Sequence, residues 1–292
     1  MAVKAVKNRK HEIDMTEGKL FPKIFAFAVP LILTAVLQLL FNSADMIVVG
    51  KFVGNNSVGA VGSTGSLNAL LTNFAIGLSV GAGVVLASAF GAKDSEYGDK
   101  ILHTSMVVSV IAGVIFGALG YFVSRPLLSV MGTPAVQLDD AATYLEIICL
   151  GCPFSMIYNF GASMLRATGD TKRPLIYLTV AGVINIIVNI VTVVCFNMGV
   201  SGVAIATIFS QAVSAVLVVI TLLRNKGFVK LSLKKLRIHG KAFGEIMRLG
   251  VPTGIQSMLF NISNVLLQSA INGFGSDVVN GCSLSSQIEG YV

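Results

Sequence analysis

The chain has 292 residues, 54% of them hydrophobic and only 12% charged, with no Trp and with 21 Lys and Arg against 14 Asp and Glu. Soluble domains carry about 25% charged residues, so roughly half the charge needed to clothe a water-facing surface is missing. A soluble enzyme, a disordered chain and a secreted disulfide scaffold are all disfavoured, and a mean hydropathy of +0.81 calls for lipid.

A bilayer-spanning helix needs about 20 mainly apolar residues. In chain order such stretches fall at Ile24–Gly50, Ser57–Phe90, Ile101–Val123, Tyr144–Leu165, Leu175–Phe196, Val200–Leu223 and Ile246–Ile271, and an eighth starts near Val278. None shows the two-residue alternation of a transmembrane barrel, so the spans are expected to be helices. With the N-terminus placed inside, only Lys51 and Arg125 of the 21 basic residues lie outside, leaving 19 within, and the positive-inside rule then sets a cytoplasmic N-terminus in a multi-pass cell-membrane protein. The net charge of +7 is thus a topology signal, and nucleic acid is not an expected partner. The basic run Arg224–Lys241 is expected to lie along anionic lipid headgroups. The first 23 residues are too charged, and the run after them too long, for a cleaved signal peptide.

A shift of 222 residues places Phe21, Ile24, Val29, Pro30, Leu37, Asn42 and Phe52 on Phe243, Ile246, Val251, Pro252, Leu259, Asn264 and Phe274. Six spans separate the copies, so both enter the membrane in the same direction, as in a parallel repeat. The expected fold is an all-α polytopic membrane protein: a six-helix transmembrane bundle plus the start of a second, parallel-repeat bundle. The corresponding divisions are a cytoplasmic segment 1–23, a six-helix lobe 24–224, a basic cytoplasmic linker 225–241, and an incomplete C-terminal lobe 242–292.

Polar residues inside lipid carry the functional information. Asp45 is the carboxylate set deepest in a span of the first bundle, and a charge at a helix centre costs about 2.5–3.5 kcal/mol on insertion scales. Gln38, Asn42 and Asp45 recur at i, i+4 and i+7, along one face. Measured down from the outer ends of their spans, Asp45 is about 9 Å deep, Asn189 and Thr207 about 12 Å, and Asn185 about 18 Å. These four are expected to gather oxygens for a proton or a hard monovalent cation in the outer half of the bundle. Gln38, Asn42 and Gln256 are expected along a substrate path. Glu146 is expected near the outer start of its span, in water.

Other motifs read as structural. Cys149 and Cys152 have CxxC spacing without a second ligand pair, His11, His103 and His239 map to cytoplasmic ends, and no GxxxxGK[ST] occurs, so neither metal, cofactor nor ATP use is expected. Gly77–Gly81 and Gly113–Gly117 have the GxxxG spacing of close helix packing. Pro30, Pro153 and Pro252 can bend the helices that contain them. Arg166, Asp170, Lys172 and Arg173 surround a turn at Gly169, where Pro174 opens the next helix: a turn that holds positive charge inside, or a clamp between inner helix ends.

Phe41–Gly50, Val61–Gly65 and, most specifically, Leu165-Arg-Ala-Thr-Gly-Asp-Thr-Lys-Arg-Pro174 resemble the multidrug and toxic compound extrusion (MATE) family. Asn185–Asn189 and Gly199–Thr207 are similar to that family's fifth and sixth helices, and the resemblance runs from about Met15 to the end of the chain. It implies twelve helices in two lobes, so that this chain stops early in the second. It also implies export of cationic or amphipathic small molecules in exchange for Na⁺ or H⁺, by a carrier that is not an enzyme and works as a monomer. Asp45, Asn185 and Thr207 match residues of the family's cation site. Asn189 stands where some members have Asp, leaving one carboxylate where those have two. The competing readings are a flippase of lipid-linked oligosaccharides, whose cavity would be rich in Lys and Arg, and an intramembrane enzyme, which would need a Ser/Lys, paired-Asp or His-cluster constellation.

Overall fold

A computed structural model describes residues 20–225, 227–228 and 230–289, apart from the side chains of Leu20, Phe260 and Gln287. Lys4, Lys7, Arg9, Lys10, Lys19, Lys226, His11 and most of the expected 1–23 segment lie outside the described residues. The described residues form helices and connections, with no strand among them.

Among the described residues five helices are long and apolar enough to cross a bilayer: α1 (Leu20–Phe52), α2 (Asn55–Gly91), α3 (Ser95–Val130), α6 (Lys172–Ile190, continued by a π-helical turn Val191–Cys195) and α7 (Gly199–Arg224). The expected span Tyr144–Leu165 is instead a broken pair, α4 (Ala135–Leu150) and α5 (Cys152–Ala167), bent by 48° at Gly151. Pro153 explains the break, since its missing N–H and its ring are tolerated only in the first turn of a new helix. Because α4 starts at Ala135, Glu146 does not stand at the outer start of its span; it is half-buried about 16 Å along the helix. Asp139 and Asp140 lie in the first turns of α4 instead, meeting Arg125 (2.8 Å) and Ser57 (3.1 Å).

After the basic connection, which holds one 3₁₀ turn at Leu233–Lys235, come α8 (Gly240–Asn272) and α9 (Ser276–Glu289). The expected seventh span is long enough to cross, but α8 does not pass as apolar enough, because Gln256, Ser257, Asn261 and Asn264 interrupt its apolar run. α1 and α8 both have 33 residues and both enclose a proline, Pro30 and Pro252, as the internal repeat requires.

The centre of the packing is α2, which touches α8, α5, α4, α9 and α3. Gly77 and Gly81 meet Gly254 and Gly250 of α8 so closely that a Cβ on Gly81 would lie 2.3 Å from the Gly250 Cα. The first GxxxG is therefore a backbone-to-backbone seam, where dispersion replaces the hydrophobic force that lipid cannot supply between helices. The second, Gly113–Gly117 on α3, fits against Pro153 and the Cys149 carbonyl at the α4–α5 break. Leu86, Ile101, Phe160, Leu165 and Leu222 belong to the largest core, and a second gathers Met46, Val49, Tyr144, Val193 and Val203 toward the opposite end of the helices. Large apolar residues such as Phe25, Phe122, Ile187 and Val216 face outward, as a lipid-facing surface demands.

Candidate cation site between the first and fifth spans

Three crossings separate α1 from α6, so the two helices run in the same direction and can lie side by side over several turns. Gly182 makes that contact close: a Cβ there would sit 2.0 Å from the Phe41 ring. One turn beyond Phe41 on α1 is Asp45, and two turns beyond Gly182 on α6 is Asn189. The Asn189 amide Nδ2 donates to Asp45 Oδ1 at 2.5 Å, joining the two helices through the pair of polar residues singled out in the sequence.

Asn189 is fully buried and Asn185, one turn earlier on the same face, is 5% exposed. The carbonyl oxygens of both, Asn185 Oδ1 and Asn189 Oδ1, are buried without a hydrogen-bond donor. A buried acceptor left unmet costs about 1–3 kcal/mol, so the site is short of positive charge or protons rather than of acceptors. Tyr144 of α4, 7% exposed, belongs to the same buried cluster as Met46 and Val49 of α1.

Past Asn189 the helix widens into the π turn. There the Thr192 hydroxyl lies within hydrogen-bond reach of the Val188, Asn189 and Gly202 carbonyls, at 2.9, 3.2 and 3.1 Å, tying this end of α6 to α7. Single π turns recur at functional sites because they re-aim the residues around them. Thr207 of α7 is half-buried, and its hydroxyl donates to its own helix at the Val203 carbonyl, 3.0 Å away. Among the recorded hydrogen bonds only Asp45 and Asn189 of the four expected ligands are joined directly. Gln38, Asn42 and Gln256 are exposed. Thr192 and Tyr144 were not singled out by the sequence reading; Thr192 continues the Asn185, Asn189 series at i+3, which is the signal that would have found it.

One carboxylate and two donor-less amide oxygens form a set of oxygen acceptors, the ligand type that protons and hard cations take. Among the described residues no group of three or more His, Cys, Asp or Glu is placed to hold a metal ion.

A fold of membrane-length helices with a carboxylate held between the first and fifth of them defines a multi-pass helical membrane protein with a polar seam inside its bundle. A family model described as MatE matches residues 30–191, more than half of the chain. The probable multidrug resistance protein YoeA of Bacillus subtilis (strain 168) is 30% identical over 289 residues, which cover 95% of this chain and 62% of that protein. An inward-facing structure of a multidrug resistance MATE family transporter of the MOP superfamily aligns with a TM-score of 0.78 at 26% identity, over 84% of this chain and 56% of that one. An outward-facing structure of such a transporter aligns with a TM-score of 0.80 at 25% identity, over 86% and 56%. The chain belongs to the MatE family, and it spans less than two thirds of the length of these relatives.

Proposed function

We propose that the complete protein is a secondary active transporter that exports cationic or amphipathic small molecules by antiport with Na⁺ or H⁺, and that Asp45, Asn189 and Asn185 form its ion site, with Thr207 nearby on α7. The observation that carries this reading is the Asp45–Asn189 bond beside two buried, donor-less amide oxygens. The Asn189 NH₂ group supplies the positive end of a dipole to the carboxylate. A cation arriving from outside takes that place, and a rotation of the amide brings Asn189 Oδ1 into its shell beside Asp45, with Asn185 Oδ1 one turn deeper. If the ion is a proton, Asp45 becomes a donor and one of the same oxygens accepts from it.

Either event removes the isolated charge from a low-dielectric seam and so changes the relative stability of the inward- and outward-open forms. One elementary charge moving down about 100 mV releases about 2.3 kcal/mol, enough for a substrate gradient of about 50-fold at one-to-one coupling. That both an inward-facing and an outward-facing relative align with the chain to nearly the same degree supports a lobe that moves as a unit. This reading puts the N-terminus in the cytoplasm and takes the exposed side chains of Gln38, Asn42 and Gln256 as the substrate contacts between the lobes.

The test is efflux of a fluorescent cation from vesicles containing the full-length protein, with Na⁺ and pH gradients imposed separately. Asp45→Asn is expected to abolish the response to whichever gradient drives the wild type. Undiminished gradient-driven efflux by that variant overturns the assignment.

A further inference from the structure

The connection between α7 and α8 is fastened to the rest of the protein on both sides of its most basic stretch. Leu231 is buried, and its N–H donates to the Leu222 carbonyl at 3.0 Å. The Ser232 N–H donates to Nε2 of His103, 3.0 Å away, while Nδ1 of that buried ring donates to the Asp99 carbonyl at 2.7 Å. At the far end the His239 N–H donates to the Thr104 hydroxyl at 3.1 Å. Two adjacent residues at the inner end of α3 thus hold both ends of a six-residue loop, 233–238, and push it outward.

What the loop presents is unsuited to water and to hydrocarbon alike. Leu233, Leu236 and Ile238 are 63%, 39% and 47% exposed, and Lys234, Lys235 and Arg237, also exposed, alternate with them. Long basic side chains beside exposed apolar ones match the boundary between acyl chains and headgroups, where the loop lies at the inner ends of α3 and α7.

The charges are uneven. Lys100 pairs with Glu96 at 2.7 Å and Lys235 with Asp99 at 3.3 Å. Lys241 of α8 lies over the Tyr97 ring, 5.1 Å from its centroid. Among the described residues Lys230, Lys234 and Arg237 have no carboxylate partner in any recorded ion pair. Arg237 Nε donates to Nε2 of His239 at 2.9 Å, leaving its terminal N–H groups for another acceptor. Partial burial, with Arg237, Lys100 and His103 nearby, holds the His239 imidazole below its ordinary pKa of 6.5 in spite of Asp99, which marks a local surplus of positive charge.

We propose that the 233–238 loop is a binding site for an anionic phospholipid, its phosphate taken by Arg237 and Lys234 and its acyl chains lying along Leu236 and Ile238. The fork of the Arg237 guanidinium suits phosphate oxygens, and the apolar side chains have a use only if the phosphate carries a lipid tail. This site is independent of the ion site at Asp45.

The experiment is hydrogen exchange of the loop amides in the whole chain, held in nanodiscs of phosphatidylcholine alone or mixed with phosphatidylglycerol. Phosphatidylglycerol is expected to slow exchange across 233–238 by about fivefold for each cation engaged. Lys234→Gln with Arg237→Gln removes that slowing while the α1 and α6 amides exchange as before, and Leu236→Ser weakens it with every charge still in place. Inorganic phosphate added to the phosphatidylcholine discs does not reproduce it. Equal exchange in the two lipids, slowing by phosphate alone, or slowing that survives loss of both charges overturns the proposal.

Discussion

Two carboxylates at opposite ends of the first six spans, Asp170 buried and Asp45 half-buried, have opposite surroundings. Asp170, 1% exposed in the turn between α5 and α6, accepts from the Arg173 N–H at 3.1 Å and pairs with the Arg173 guanidinium at 3.3 Å. Gly169, at φ 89°, lets the chain double back so that the pair closes within four residues. Its charge is met locally and permanently, which is how a structural ion pair behaves. Asp45 is met by a neutral amide from a helix 144 residues away, with two more amide oxygens left donor-less beside it. A carboxylate balanced by a fixed cation holds a fold together; one balanced only by a dipole is open to an exchangeable cation.

Swapping the damage at these two sites is the sharpest way to break the comparison. Asp45→Asn in the complete protein is expected to take gradient-driven efflux to the level of empty vesicles and to leave thermal unfolding nearly unchanged, because Asn still accepts from Asn189. Asp170→Ala is expected to do the reverse, costing about 2–3 kcal/mol by leaving Arg173 without its partner, less than a fully buried pair because Arg173 is partly in water. A lower melting temperature with residual coupling would show it. If Asp45→Asn unfolds the protein and Asp170→Ala stops only transport, the roles are reversed.

A subtler strain tests whether α1 and α6 must lie this close. Gly182→Ala pushes a methyl group into the Phe41 ring and is expected to cost about 1–2 kcal/mol and to weaken ion dependence; adding Phe41→Ala should recover most of both, a coupling read from a double-mutant cycle. The smallest effect lies in the connection between α7 and α8. The folded protein holds the His239 pKa below 6.5, so the stabilisation is complete above that pH and is lost as the pH falls through the lower, folded value. The protection of the 232–239 amides, taken relative to the intrinsic exchange rate at each pH, should therefore fall on acidification below about pH 6.5, and His239→Gln should flatten that dependence.

Much of the site was legible because a polar residue in a long apolar run is conspicuous. Asp45, Asn185 and Asn189 stood out on that ground, and their expected depths agreed closely enough for two of them to meet. Thr192 was hidden because a threonine back-bonded to its own helix costs little in lipid, and its link to Gly202 needs a π turn that no local pattern announces. Tyr144 was hidden in an aromatic-tolerant stretch. The break at Gly151 was half visible, in Pro153, but the extension of α4 back to Ala135 was not, since Asp139 and Asp140 look like a loop until Arg125 and Ser57 are seen to receive them.

Composition and hydropathy settled the helical, lipid-embedded class and the positions of most spans, because a backbone in hydrocarbon must satisfy its own hydrogen bonds and only a continuous apolar helix does so cheaply. Which helices touch was left to the tertiary structure. Between helices in lipid the discriminating forces are short-ranged: a methyl group absent at Gly182 or Gly81, an amide aimed at a carboxylate, a histidine nitrogen that receives a distant N–H. Those depend on which faces meet across more than a hundred residues of chain, and one-dimensional order does not encode that directly.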